Sequence, residues 1–70
     1  MNIDWYEDFL ALADTGKFTA AASMRGSSQS ALSRRIQLLE GHLGATLVDR
    51  DRNPVRLTAA GEALLPNAVE

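Results

Sequence analysis

Seventy residues with a formal net charge of −2, 46% hydrophobic and 23% charged, have the composition of one small folded domain and not of a disordered tail. A chain this short buries only about 60% of its unfolded surface, which excludes a deep substrate pocket alongside a stable core. The absence of cysteine excludes disulfide staples and thiolate metal sites and fits a reducing cytosol.

The chain opens Met1-Asn2-Ile3-Asp4, with no basic stretch followed by an apolar run, and contains no apolar segment long enough to span a bilayer. The expectation is a cytoplasmic protein. Asp4 is placed to cap a first helix, with Glu7 as its capping-box partner three residues on. Trp5, Phe9 and Leu12 follow helical spacing, as do Tyr6, Leu10 and Ala13. These aromatic positions read as core, although an exposed aromatic there would suit a dimer interface. Thr15-Gly16 supplies the stop, glycine taking the left-handed cap.

Thr19 is the expected cap of a short second helix, Ala20 to Arg25, whose Ala20-Ala21-Ala22 run lets a neighbouring helix pack closely. Gly26 ends it. Ser27 and Ser28 form a tight turn, and Ser28 is the N-cap of a third helix. There Leu32, Ile36, Leu39 and Leu43 make one apolar stripe, while Gln29, Ser30, Ser33, Arg34 and Gln37 form the opposite, hydrogen-bonding side. Gly44 ends that helix. His42, the only histidine, reads as a cation at the helix C-terminus and not as a metal ligand.

Thr46-Leu47-Val48 and Val55-Arg56-Leu57 are β-prone runs joined by a turn at Asp51 to Pro54. Thr58 caps a fourth helix from Ala59 onward, with Pro66 inside it as a source of bending or weakening. The predicted fold is mainly α with a small β-hairpin, in the order of a winged helix-turn-helix: a three-helix core, a wing, and the start of a further helix. Residues 1–57 form the domain and residues 58–70 the truncated start of a linker helix.

The charge distribution bears on function more than the net charge does. Asp4, Glu7, Asp8 and Asp14 crowd the first helix. From Thr15 to Leu39 there is no acid, while Lys17, Arg25, Arg34 and Arg35 fall there. A phosphate backbone responds to that local field. The third helix is split as a recognition helix must be, one face for the core and one for the major groove. Gln29 has the geometry to pair with adenine and Arg34 with guanine, while Ser30 and Ser33 are short enough to let the backbone approach. Ser28 is first a cap, and the free amides it heads also suit a phosphate. Arg35 is turned away from the Ser30–Arg34 row and is assigned to phosphate. Arg50, Arg52 and Arg56 lie on or near the wing and face the flanking backbone, with Arg52 or Asn53 at the tip available to the minor groove. The bland alternative is a solvated polar face with capping serines and solubilising arginines, in which case the module docks a protein. A hydrolase is excluded by the lack of a base placed near any serine nucleophile.

The run Phe18-Thr19-Ala20-Ala21-Ala22 through Ser28-Gln29-Ser30-Ala31-Leu32-Ser33-Arg34-Arg35-Ile36 resembles the LysR family of bacterial transcriptional regulators. So do Leu39-Glu40, Leu43-Gly44, Leu47 with Asp49-Arg50, and Leu57-Thr58-Ala59-Ala60-Gly61-Glu62. The resemblance covers essentially the whole chain. It implies a DNA-binding domain on the bacterial nucleoid, with double-stranded DNA as partner and no cofactor. It also implies a linker helix that pairs subunits into a homodimer or tetramer. A small-molecule or oxidant effector would act only through a C-terminal domain beyond this segment. It places Gln29, Ser30, Ser33 and Arg34 at base-reading positions, and Ser28, Arg35, Arg50 and Arg52 at or near phosphate-contacting ones. The chain departs from the usual pattern at Arg25 and Ser27, where the family has leucine and an apolar residue. It also departs at Ser30 and Val48, where proline and phenylalanine are common. Arg25 and Ser27 remove apolar packing from the corner between the second and third helices, and Trp5 is expected to fill that space.

Overall fold

The computed structural model describes residues 2–66. Its elements run α1 (Ile3–Thr15), α2 (Phe18–Met24), α3 (Gln29–Leu43), β1 (Val48–Asp49), β2 (Arg56–Leu57) and α4 (Ala59–Leu64). The two strands pair antiparallel, Val48 opposite Leu57 and Asp49 opposite Arg56. This is the winged helix-turn-helix expected from the sequence.

The core is small and forms where three helices and the root of the wing meet. Phe9 and Leu12 of α1, Ala21 and Ala22 of α2, and Leu32, Ile36 and Leu39 of α3 close on Leu47 and Val48, all buried. The alanine pair allows α2 to approach closely. Leu43 is the exception to the predicted stripe: on the last turn of α3, past the buried cluster, it stays 41% exposed.

The helix boundaries follow local hydrogen bonding, with three differences from the sequence reading. Asn2, not Asp4, caps α1, its Oδ1 accepting from the Asp4 amide at 2.8 Å. With Asn2 as the cap, Glu7 is out of register for a capping box, and its carboxylate accepts from Arg25. The second helix starts at Phe18, one residue before the expected cap Thr19. Its N-cap Lys17 makes no side-chain cap, and the Lys17 amide donates to Thr15 Oγ1. The last helix ends at Leu64. Pro66 lies beyond it and does not bend it, and Leu65 is extended as a residue preceding proline must be. Ser28 caps α3 and Thr58 caps α4 as expected, through Ala31 N and Gly61 N, both at 3.1 Å. The tail of the predicted linker segment, residues 67–70, lies outside the described residues.

The strands are shorter than the β-prone runs because other partners compete for their backbone. The Leu47 and Val48 amides donate to Glu40 Oε2 of α3, at 2.8 and 3.3 Å. The Val55 amide donates to the Gly16 carbonyl at 2.8 Å, which anchors the returning arm of the wing to the end of α1. Gly16 has a φ of +72°, and a Cβ there would sit 2.8 Å from Pro54 Cβ, so both backbone and space require glycine.

The start of α4 is pressed onto the wing root. Gly61 is buried, and an added Cβ would overlap the Leu47 carbonyl oxygen and crowd Leu57. Tyr6 Oη donates to the Leu64 carbonyl at 3.2 Å, tying α4 back to α1. No helix among the described residues is long and apolar enough to cross a membrane. Gly61→Ala is therefore expected to lower unfolding free energy by about 1–3 kcal/mol through overpacking. Thermal or urea unfolding by circular dichroism measures it, and an unchanged midpoint would contradict the close approach of α4 to Leu47.

Candidate nucleic-acid interface

Burial of the Leu32–Ile36–Leu39 stripe fixes which side of α3 faces outward. Gln29, Ser30, Arg34 and Gln37 are exposed on that side, and Ser33 is half-buried at its edge. The side chains of Gln29 and Arg34 make no hydrogen bond or ion pair among the described residues. Their donors and acceptors are therefore available to a partner.

Next to this face the structure holds one arginine in place. Arg50, just after β1, donates through one NH group to Ser33 Oγ at 3.2 Å and through the other to Glu40 Oε1 at 3.3 Å. Its guanidinium carbon lies 5.1 Å from the centre of the Phe18 ring, a cation–π arrangement. Phe18, Gln29, Ser30, Ser33 and Arg50 together line a shallow notch between the recognition helix and the wing. Glu40 organises it. One of its oxygens takes the wing amides and the other takes Arg50, so the same carboxylate sets the wing against α3 and orients the arginine.

The wing tip is open. Arg52 and Asn53 are exposed, and Arg52 reaches Asp49 only loosely, at 3.6 Å. Ser28 is exposed with its hydroxyl engaged as the helix cap.

Arg35 stands apart from the other predicted site residues. One residue after Arg34, it is rotated about 100° around the helix. Its Nε donates to Asp8 Oδ2 and its NH2 group to Ser27 Oγ at 3.0 Å. Arg25 donates through Nε to Asp8 Oδ1 at 2.9 Å. Hydrogen bonding to Asp8 raises both guanidinium groups above their ordinary value, against the opposing effect of burial, so both remain charged. Ionic partners thus occupy the corner that the sequence expected Trp5 to fill in place of apolar packing. Trp5 is half-buried and packs edge-on against His42, with ring centres 6.4 Å apart.

Sequence reasoning assigned no role to Asp8, Phe18 or Glu40. Phe18 and Glu40 stood in the motifs quoted above, but their link to Arg50 is made by the fold. A lone acid after a 25-residue acid-free stretch was the available signal for Glu40.

A helix with an outward polar face, a pinned arginine beside it and an open basic wing define a winged helix-turn-helix of the nucleic-acid-binding type. The profile described as "Bacterial regulatory helix-turn-helix protein, lysR family" matches residues 3–62, and the chain belongs to that family. It is 48% identical over 68 residues to the HTH-type transcriptional regulator ShiR of Corynebacterium glutamicum (strain R), covering 97% of this chain and 23% of that one. Among solved structures it is similar to Vibrio fischeri DarR in complex with DNA, at 45% identity and a TM-score of 0.92, covering 99% of this chain and 24% of that one. It is also similar to the BenM DNA-binding domain bound to catB site 1 DNA, at 35% identity and a TM-score of 0.91, covering 99% and 78%. The chain spans about a quarter of the length of the curated relatives it matches.

Removing the organising carboxylate tests this geometry. Glu40→Ala strips the Leu47 and Val48 amides of their acceptor and should cost about 1–3 kcal/mol. Those two amides should lose hydrogen-exchange protection well beyond the rest of the core, and uniform protection loss across the domain would refute the local role.

Proposed function

We propose that this chain binds double-stranded DNA sequence-specifically, as the DNA-binding domain of a bacterial transcriptional regulator acting on the cytoplasmic nucleoid. The observation that carries this is the exposed polar face of α3, with Gln29 and Arg34 unpartnered among the described residues, beside an arginine already fixed by Ser33, Glu40 and Phe18. A major groove about 12 Å wide accepts a helix presenting such a face.

Gln29, Ser30, Ser33 and Arg34 read base edges, with Gln29 suited to adenine and Arg34 to guanine. Ser28 and the amides it heads receive a phosphate. Arg50 meets the backbone beside α3, and Arg52 with Asn53 reaches the flanking phosphates or the minor groove. The DNA complexes of DarR and of the BenM domain support this reading by their likeness in fold and sequence. The segment that opens at Thr58 with α4 (Ala59–Leu64) serves as the linker that pairs subunits, giving a homodimer or higher oligomer of the longer regulator. A C-terminal domain would sense its small-molecule or oxidant effector. Residues 1–57 are the reading head. Partners of this kind need no cofactor.

Selection from random duplex DNA at two salt concentrations, using the domain fused to a dimerising helix, tests the proposal. Enrichment of a two-fold-symmetric site with salt-sensitive affinity is expected. No enrichment and no salt dependence would favour a protein-docking module instead. Within that assay, Arg34→Ala should relax preference at one base position and cost about 1–3 kcal/mol, whereas Arg50→Ala should weaken all sequences alike and flatten the salt slope by about 1. Unchanged base preference in the first variant, or a loss confined to one base position in the second, would contradict the assigned roles.

A further inference from the structure

Asp8 of α1 is a fully buried acid. One oxygen accepts from Arg25 Nε at 2.9 Å and from an Arg35 NH2 group at 3.3 Å; the other accepts from Arg35 Nε. Arg35 continues to Ser27 Oγ, and Arg25 to Glu7 at 3.2 Å and Asp4 at 3.9 Å. A single carboxylate thereby ties the end of α2, the turn and the second turn of α3 to α1. Every buried side-chain polar atom among the described residues has a partner.

Two consequences follow for a DNA reader. Guanidinium–carboxylate pairs are directional, so this cluster fixes the angle at which α3 leaves the corner. Base reading depends on such placement to within about 0.5 Å. The cluster also holds two cations. Their side chains remain 27% and 30% exposed, so they are within reach of an outside anion. An arginine that neutralises a phosphate strengthens binding to every sequence equally and adds about 0.9 to the salt slope.

We propose that Asp8 is a specificity-determining residue that acts through Arg25 and Arg35, orienting α3 for base reading while keeping both cations from sequence-blind phosphate contact. The inference rests on the DNA-binding reading above and adds to it an internal competitor for phosphate.

The test compares the chain with its Asp8→Asn variant on two probes across a salt series. One probe is the duplex recovered by selection, and the other is a shuffled duplex of the same composition. Asp14→Asn, an exposed acid on the same helix, controls for the change in net charge. Asp8→Asn should bind the shuffled duplex more tightly and steepen its salt slope by about 0.9 for each arginine released. Its preference for the selected duplex should fall about tenfold, and Asp14→Asn should do none of this. Equal weakening on both probes with an unchanged slope is the mark of a merely structural role and would overturn the proposal. An Asp14→Asn effect as large as that of Asp8→Asn would also overturn it.

If circular dichroism shows Asp8→Asn unfolded, Arg35→Lys takes its place, since lysine keeps the charge but loses the forked geometry. It should reduce the preference between the two duplexes several-fold, and an unchanged preference would sink the idea. Discrimination by the parent chain together with equal discrimination by folded variants defeats this inference alone. A parent chain without salt-dependent binding to either duplex defeats the DNA-binding reading and the inference with it.

Discussion

Everything functional in this domain depends on the burial of one stripe of α3. Leu32, Ile36 and Leu39 have no exposed surface, and they meet Phe9 and Leu12 of α1 and the alanines of α2. At about 1.5–3 kcal/mol for each fully buried large apolar side chain, these contacts are the main source of stability in a core this small. Because side chains recur every 3.6 residues, fixing that stripe also fixes where Gln29, Ser30 and Arg34 point. Stability and exposure of the reading face are consequences of the same packing.

Two acids then divide the finer positioning. Glu40 lies on the wing-facing flank of α3 and joins the wing backbone to Arg50, which links the hairpin to the recognition helix. Asp8 lies on the opposite flank and joins α3 to α1 and α2. Each acid organises arginines, but to different ends. Arg50 is held beside the polar face, while Arg25 and Arg35 converge on Asp8. The net charge of −2 therefore says little about the surface a phosphate would meet.

Most local features are legible in the sequence and long-range ones are not, although the caps of α1 and α2 fall at Asn2 and Lys17 and not at Asp4 and Thr19. The Ser28 and Thr58 caps and the Gly16 and Gly44 stops each depend on residues within one turn, and all are present. The order of helices and hairpin followed from periodicity and turn chemistry. The strand ends were misjudged because Glu40 and Gly16, both distant in sequence, take hydrogen bonds that a longer ladder would have used. The corner at Arg25 and Ser27 was read as lost apolar packing. Its replacement by ion pairs spans sequence separations of 17 and 27 residues, which no local pattern displays. The bonds of Arg35, an expected phosphate contact, to Asp8 and Ser27 are hidden from the sequence for the same reason.

In this arrangement DNA meets the outer face of α3 and the wing and leaves the acidic first helix untouched. Amide chemical-shift mapping by nuclear magnetic resonance, on the isotopically labelled chain titrated with a duplex, tests this most directly. Shifts should concentrate at residues 28–34 and 50–53, fade with added salt, and spare the exposed side of α1 from Asp4 to Asp14. Shifts centred on α1, or a salt-independent response spread over the whole chain, would contradict the account.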